Sequence, residues 1–275
     1  MGKVPMISLN DSTTIPQFGF GVFQIPAKDT AGAVHTALEA GYRHIDTAQM
    51  YQNEQAVGQA VAESGIPRDQ LFVTTKLNND QHGYESALRG LDASLERLGL
   101  DYVDLFLIHW PQPGQGRYVE TWKAFEKLHA DGRARAIGVS NFQPAHLRRL
   151  AEETGTVPAV NQIELHPLLQ QSELQAYHRE HGIATEAWSP IAKGGELLGD
   201  SRIAQLADKH GKAPAQVVLR WHIQHGNVVF PKSVTQSRIR SNIDVFDFEL
   251  SDDDVKVIDG LDAGTRLGPD PDTFG

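Results

Sequence analysis

Short apolar runs recur along the chain, separated by longer stretches in which apolar positions return every three or four residues. The runs are FGFGVF (18–23), HID (44–46), LFVTT (71–75), VDLFLI (103–108), ARAIGV (134–139), AVNQI (159–163), IATEAW (183–188) and NVVF (227–230). Each has the length of a strand. Their near-continuous apolar character predicts a parallel sheet covered on both faces rather than one face open to water. Between them, Val34, Ala37 and Leu38 keep helical spacing up to Gly41, and Leu88, Leu91, Leu95 and Leu98 line one face up to Gly99. Trp122, Phe125 and Leu128 do the same before Gly132. Ser172 and Ser251 each precede acidic residues, as helix N-caps do, and Val217, Val218, Trp221 and Ile223 predict an extra helix before the last strand.

Eight strand–helix units in 275 residues, without a linker or a shift in composition, predict a single α/β domain spanning 1–275, a (β/α)8 TIM barrel. Ahead of it, MISLNDSTTIPQFG reads as a β-hairpin turning at Asn10–Asp11–Ser12 and closing the barrel bottom. The C-terminal tail DAGTRLGPDPDTFG, rich in Gly and Pro, is expected to lack regular structure. An open doubly wound sheet is the alternative. It usually carries G-x-G-x-x-G after its first strand, and here Gly19 and Gly21 are followed by Gln24.

Composition narrows the function classes. With 35 acidic and 25 basic side chains the formal charge is -10, so no nucleic-acid partner is expected, since phosphate backbones demand a basic face. No apolar run approaches the roughly 18 residues of a membrane helix. The opening MGKVPMISLND lacks the apolar core of a signal peptide, and there is no cysteine; a cytoplasmic monomer without membrane attachment is the expectation.

Three consecutive strands end in a polar side chain: Asp46 after HI, Lys76 after LFVTT and His109 after VDLFLI. Any one alone is what a strand leaving the core requires. A carboxylate, an ammonium and an imidazole delivered to one barrel rim form a candidate site, because barrel chemistry gathers at strand C-termini. Tyr51 follows in the loop after the second strand, just before Asn53, a candidate N-cap. A free phenol, with a pKa of about 10, is a poor proton donor at neutral pH, and an adjacent ammonium is expected to lower that value. Lys76 supplies the ammonium, Asp46 orients it, and His109 donates to a carbonyl oxygen.

Taken together, GYRHIDTAQMYQNE, LFVTTKL, DLFLIHWP, IGVSNF, NQIELHP and VVFPKSV resemble the aldo-keto reductase family, in order and with sensible spacing from near residue 5 to near residue 260. The likeness is to the bacterial branch that includes 2,5-diketo-D-gluconate reductases. It implies reduction of a small-molecule carbonyl substrate, an aldehyde or ketone with α-dicarbonyls and keto sugars included, using NADPH. It assigns Tyr51 as proton donor and Asp46, Lys76 and His109 as its partners. It further implies that Ser140, Asn141 and Gln162 hold the nicotinamide carboxamide, with Trp188 stacked on the ring and Ser189 beside it.

In FPKSVTQSRIRSN (230–242), Lys232, Ser233 and Val234 lead into a short helix, joined by Arg238 and Asn242 and near Arg240. This basic group in an acidic chain predicts binding of an adenosine 2′-phosphate, hence NADPH over NADH. Thr235 stands where relatives often carry a basic residue, which leaves the strength of that preference open. SPIAKGGELLGD (189–200) is glycine-rich and expected to be mobile; the resemblance implies a strap over the pyrophosphate, and a plain surface loop is the alternative. Phe23, Trp110 and Phe142 are expected to wall the carbonyl pocket. Asn78, where relatives often have tryptophan, makes its mouth more polar.

No metal site is expected: His178 with His181 and His222 with His225 are helical i, i+3 pairs outside any H-E-x-x-H pattern. Two rival functions stay open on sequence alone. One is a barrel aldolase with Lys76 as a Schiff-base lysine, and the other is a cofactor-loaded regulatory subunit.

Overall fold

A computed structural model describes residues 3–275. Strands β1 (Met6–Ser8) and β2 (Thr14–Pro16) pair antiparallel as the expected hairpin. Eight parallel strands follow: β3 (Phe20–Gly21), β4 (His44–Asp46), β5 (Phe72–Leu77), β6 (Val103–Ile108), β7 (Ala134–Ser140), β8 (Val160–Glu164), β9 (Ala184–Trp188) and β10 (Val228–Val229), each hydrogen-bonded to the next. The seam between first and last closes through Gly19 N to Val229 O, 2.7 Å, and Val229 N to Gln17 O, 3.1 Å. Gly19 and Gly21 are needed here for close approach. A Cβ on Gly19 would lie 2.8 Å from the His44 ring, and one on Gly21 would lie 2.7 Å from Phe230 O. The glycines that failed to make a dinucleotide fingerprint are the ones that let the barrel close.

Around the strands run α1 (Ala27–Glu39), α2 (Glu54–Glu63), α3 (Tyr84–Leu98), α4 (Tyr118–Ala130), α5 (Pro144–Glu153), α6 (Ser172–Glu180), α7 (Gly195–Gly199), α8 (Ser201–His210), α9 (Pro214–Gln224), α10 (Gln236–Asn242) and α11 (Asp252–Asp259). Their apolar stripes fill the layer between strands and helices: Leu38, Leu91, Leu95, Leu98, Trp122, Phe125 and Trp221 are all buried there. Each such side chain contributes about 1.5–3 kcal/mol by leaving water. Ser251 caps α11 as expected, accepting from Asp254 N at 3.2 Å. Ser172 does not cap α6; the helix begins at Ser172 itself, after Gln171 in a left-handed turn. Asn53 precedes α2 but makes no side-chain cap. Its amide instead donates to Val22 O and Ile25 O, tying the loop after β3 to the one after β4.

The barrel interior is divided along its axis. At the bottom, Leu105, Leu107, Ala136, Val160 and Val228 form an apolar plug continued by Leu9 and Ile15 of the hairpin. Toward the top the inward positions become Asp46, Lys76, Gln162 and Glu186, all buried. The hydrophobic floor and the polar upper layer make the C-terminal rim the place for chemistry.

Candidate active site

The four side chains predicted at the rim come together. Lys76 Nζ lies 2.6 Å from Asp46 Oδ1 and donates to Thr47 O at 2.9 Å and to Tyr51 OH at 3.3 Å. The ammonium is completely buried, and its three donors have three acceptors. Burial opposes its charge, but Asp46 and then Tyr51 outweigh that and hold Lys76 above the ordinary lysine range. The Tyr51 ring stands edge-on to His109, 5.8 Å between centroids. Burial and then Lys76 drive the His109 pKa down to about 3, so the imidazole is neutral at physiological pH.

One expectation is corrected. The phenol of Tyr51 is not made more acidic: burial raises its pKa, and Lys76 only partly offsets this. The main reason is that the phenol is buried away from water, and the Asp46 carboxylate pushes the same way by opposing the ammonium's field. What Lys76 does fix is orientation. Since Tyr51 O accepts from Nζ, its own proton remains free to be donated into the cleft.

Beside this cluster, the expected cofactor residues form a second linked group. Ser140 Oγ donates to Gln162 O, 2.9 Å, and Asn141 Nδ2 donates to His109 O and Ser140 Oγ, both at 3.0 Å. Trp188 Nε1 donates to Asn141 Oδ1 at 2.7 Å, which holds the half-buried indole in place. Asn141 and Ser189 both adopt left-handed backbone, φ 64° and 49°, turning the chain sharply at the rim. Gln162 Nε2 crosses the barrel to Asp46 Oδ2, 3.0 Å, and also reaches Glu186 Oε2, 2.8 Å.

Further round the rim, Lys232, Val234 and Arg238 are exposed, whereas Ser233 and Asn242 are buried. Ser233 Oγ accepts from Thr235 N at 3.1 Å, shaping the turn into α10. Arg240 does not join the basic group, because it pairs with Glu39 at 3.0 Å. Among the described residues neither Lys232 nor Arg238 forms an ion pair. The 189–200 segment turns at Ala192–Gly194 and then forms α7.

Phe23 is about half exposed, 49%, with its ring 5.0 Å from Tyr51. Trp110 is covered by Phe274 of the tail, 4.6 Å between centroids. Asn78 caps the turn that follows β5, accepting from Asn79 N, and lines a polar cleft of about 440 Å³ with Gln49, Gln52 and Arg89, a cleft whose lining includes none of Asp46, Tyr51, Lys76 and His109. Phe142 is not a pocket wall; it is wholly buried against Tyr118 and His146. The paired histidines have structural partners: His178 meets Asn161 and Thr185, and His222 meets Pro190 O.

Two carboxylates were missed from sequence. Glu164 accepts from Leu267 N at 2.6 Å and Gly268 N at 3.0 Å, latching the tail across the rim. Glu186 lies two residues before Trp188 on the same inward face of β9. That alternation was the available signal.

The comparisons agree with this arrangement. The family model described as "Aldo/keto reductase family" matches residues 17–263. An aldo-keto reductase of Mycolicibacterium smegmatis is 60% identical over 270 residues, covering 98% of each chain. The methylglyoxal reductase DkgA of Escherichia coli is 50% identical over 276 residues, covering 100% of each. Among solved structures, a mutant of Gox0644 in complex with NADPH superposes with a TM-score of 0.96 at 47% identity, covering 100% of both chains. A catalytic-type cluster on a barrel rim, a family match over most of the chain and full-length relatives lead to one conclusion: this protein belongs to the aldo/keto reductase family.

Proposed function

We propose that the protein is an NADPH-dependent reductase of small aldehydes and ketones, in which Tyr51 protonates the carbonyl oxygen. The observation that carries it is the Asp46–Lys76–Tyr51 chain, which leaves the phenol proton as the one facing the cleft. NADPH, when bound, supplies a hydride to the carbonyl carbon. The residues present fit that cofactor. Gln162 has both N–H groups committed, which leaves Oε1 as an acceptor suited to a carboxamide. Trp188 offers an aromatic face for the nicotinamide ring, and Asn141 Oδ1 retains a second lone pair beside it. Lys232 and Arg238 are exposed cations for the 2′-phosphate, with Ser233, Val234 and Asn242 shaping their turn.

His109, kept neutral, donates a hydrogen bond to the substrate oxygen and polarises it. Tyr51 then passes its proton to that oxygen as charge develops there. A phenol whose pKa lies above the ordinary value stays protonated at every physiological pH, and an alkoxide is a far stronger base than a phenolate. The proton is therefore present to be donated when charge develops on the oxygen. Phe23, half exposed beside Tyr51, supplies apolar contact to the carbonyl compound. 2-Oxoaldehydes are the favoured substrate class, because DkgA, 50% identical over its whole length, bears the name methylglyoxal reductase.

Mixing the purified protein with NADPH and methylglyoxal should give protein-dependent loss of reduced-cofactor absorbance. No turnover of any glyoxal, sugar or aromatic aldehyde would reject the proposal. A Schiff base on Lys76 is disfavoured, since that amine is wholly buried, charged and bound to three acceptors.

Cofactor choice gives a separate expectation. Arg238→Ala should weaken NADPH by about tenfold or more, the worth of a charge-assisted hydrogen bond, and leave NADH nearly unchanged. Binding titrations with both dinucleotides check this. Equal losses would show that Arg238 does not read the 2′-phosphate.

A further inference from the structure

The upper barrel layer holds one carboxyl group that the proton-delivery chemistry does not use. Glu186 is fully buried, points inward from β9 and stands opposite Gln162 in the β8–β9 register. Gln162 Nε2 donates to Glu186 Oε2 at 2.8 Å and to Asp46 Oδ2 at 3.0 Å. A primary amide nitrogen has two protons, so both are committed. Rotating the amide would set its carbonyl oxygen against the Asp46 carboxylate and strip the N–H pair of acceptors. Gln162 Oε1 is thereby fixed as an acceptor turned away from them.

Glu186 makes no other hydrogen bond, and its Oε1 is buried without a partner, an arrangement rare in native interiors. The groups acting on it are Asp46 on β4, Lys76 on β5 and the uncharged Gln162 on β8, with Val228 as its register neighbour on β10. Burial first, then the Asp46 charge, push its carboxyl up to about 8, against the weaker pull of Gln162 and Lys76. It is therefore protonated at neutral pH. In that form it adds no charge beside the Asp46–Lys76 pair, yet Oε2 still accepts from the amide.

We infer that Glu186 is a positioning residue: with Asp46 it clamps the Gln162 amide so that Oε1 faces the cleft, and so selects which way round a nicotinamide carboxamide is held. The inference rests on the cofactor reading above. It predicts an effect confined to the nicotinamide end of the dinucleotide.

Calorimetric titration with two ligands tests it: NADPH, and adenosine 2′-phosphate 5′-diphosphoribose, which lacks the nicotinamide. Glu186→Leu should weaken NADPH by roughly 5- to 10-fold, the scale of one buried hydrogen bond, and leave the analogue within about twofold. Glu186→Gln keeps a neutral acceptor and should restore parental NADPH affinity. Glu186→Thr suits a strand but is too short to reach Gln162, and it replaces Glu186→Leu should that variant not fold. The inference is overturned if the truncated variant loses both ligands alike or neither, or if Glu186→Gln fails to restore binding. A parent protein that binds no NADPH would instead refute the cofactor reading.

Discussion

Tyr51→Phe is expected to lower kcat by about 10²-fold or more while NADPH affinity stays at the parental level, the scale set by removing a general acid. The substitution deletes one oxygen. The ring keeps its contacts with Phe23 and His109, and Lys76 keeps Asp46 and Thr47 O as acceptors. The fold should therefore be unharmed, and thermal unfolding should confirm this before kinetics are read. Single-turnover rates separate the chemical step from cofactor release. A variant that turns over methylglyoxal at the parental rate would remove Tyr51 from the reaction. A variant that loses NADPH affinity as strongly as turnover would make the hydroxyl a binding group instead of an acid.

The second large effect concerns stability. Lys76→Met should cost about 3–5 kcal/mol, because it leaves the Asp46 carboxylate buried without its counter-charge. Denaturant midpoints compared with the parent measure it. The loss should depend on pH in a defined direction. With Lys76 gone, burial, the largest influence on Asp46, is opposed only by the Gln162 hydrogen bond and holds the folded-state pKa above the unfolded value. The folded variant then binds the extra proton. Its relative stability is fullest below the unfolded pKa of about 3.9 and falls as pH rises through the folded one. The variant should thus be nearer the parent at pH 5 than at pH 8. Asp46→Leu in the same background should recover part of the loss, since replacing both members of a buried pair is much less costly than breaking it. A uniform deficit at all pH values would mean that the cost is packing alone.

Much of this was legible before any coordinates. Eight apolar runs at regular spacing predicted the strands, and the polar residue ending three of them predicted the Asp46–Lys76–His109 cluster, because strand ends share one rim in a barrel. What sequence could not supply were relations across the barrel. Gln162 and Asp46 are 116 positions apart, and Gln162 meets Glu186 only when the sheet closes with the right register. The direction of the Tyr51 shift failed for the same kind of reason. Proximity to Lys76 was correct, but the shift is set first by burial of the phenol, which only the closed barrel imposes, with Asp46 adding to it. Asn53 and Arg240 looked like a cap and a phosphate ligand from their neighbours in sequence. Each was taken by a partner distant in the chain, Val22 O with Ile25 O for one and Glu39 for the other.

The two ends of the chain are not interchangeable for handling the protein. Glu164 pins Leu267 and Gly268, and the closing residues run back over Trp110 to bring Gly275 against Gln112. An affinity handle or surface anchor grafted after Gly275 would start beside Gln112 and Trp110, on the rim that carries the candidate site. One grafted ahead of the hairpin would hang from the sealed pole, with the whole apolar plug between it and the chemistry.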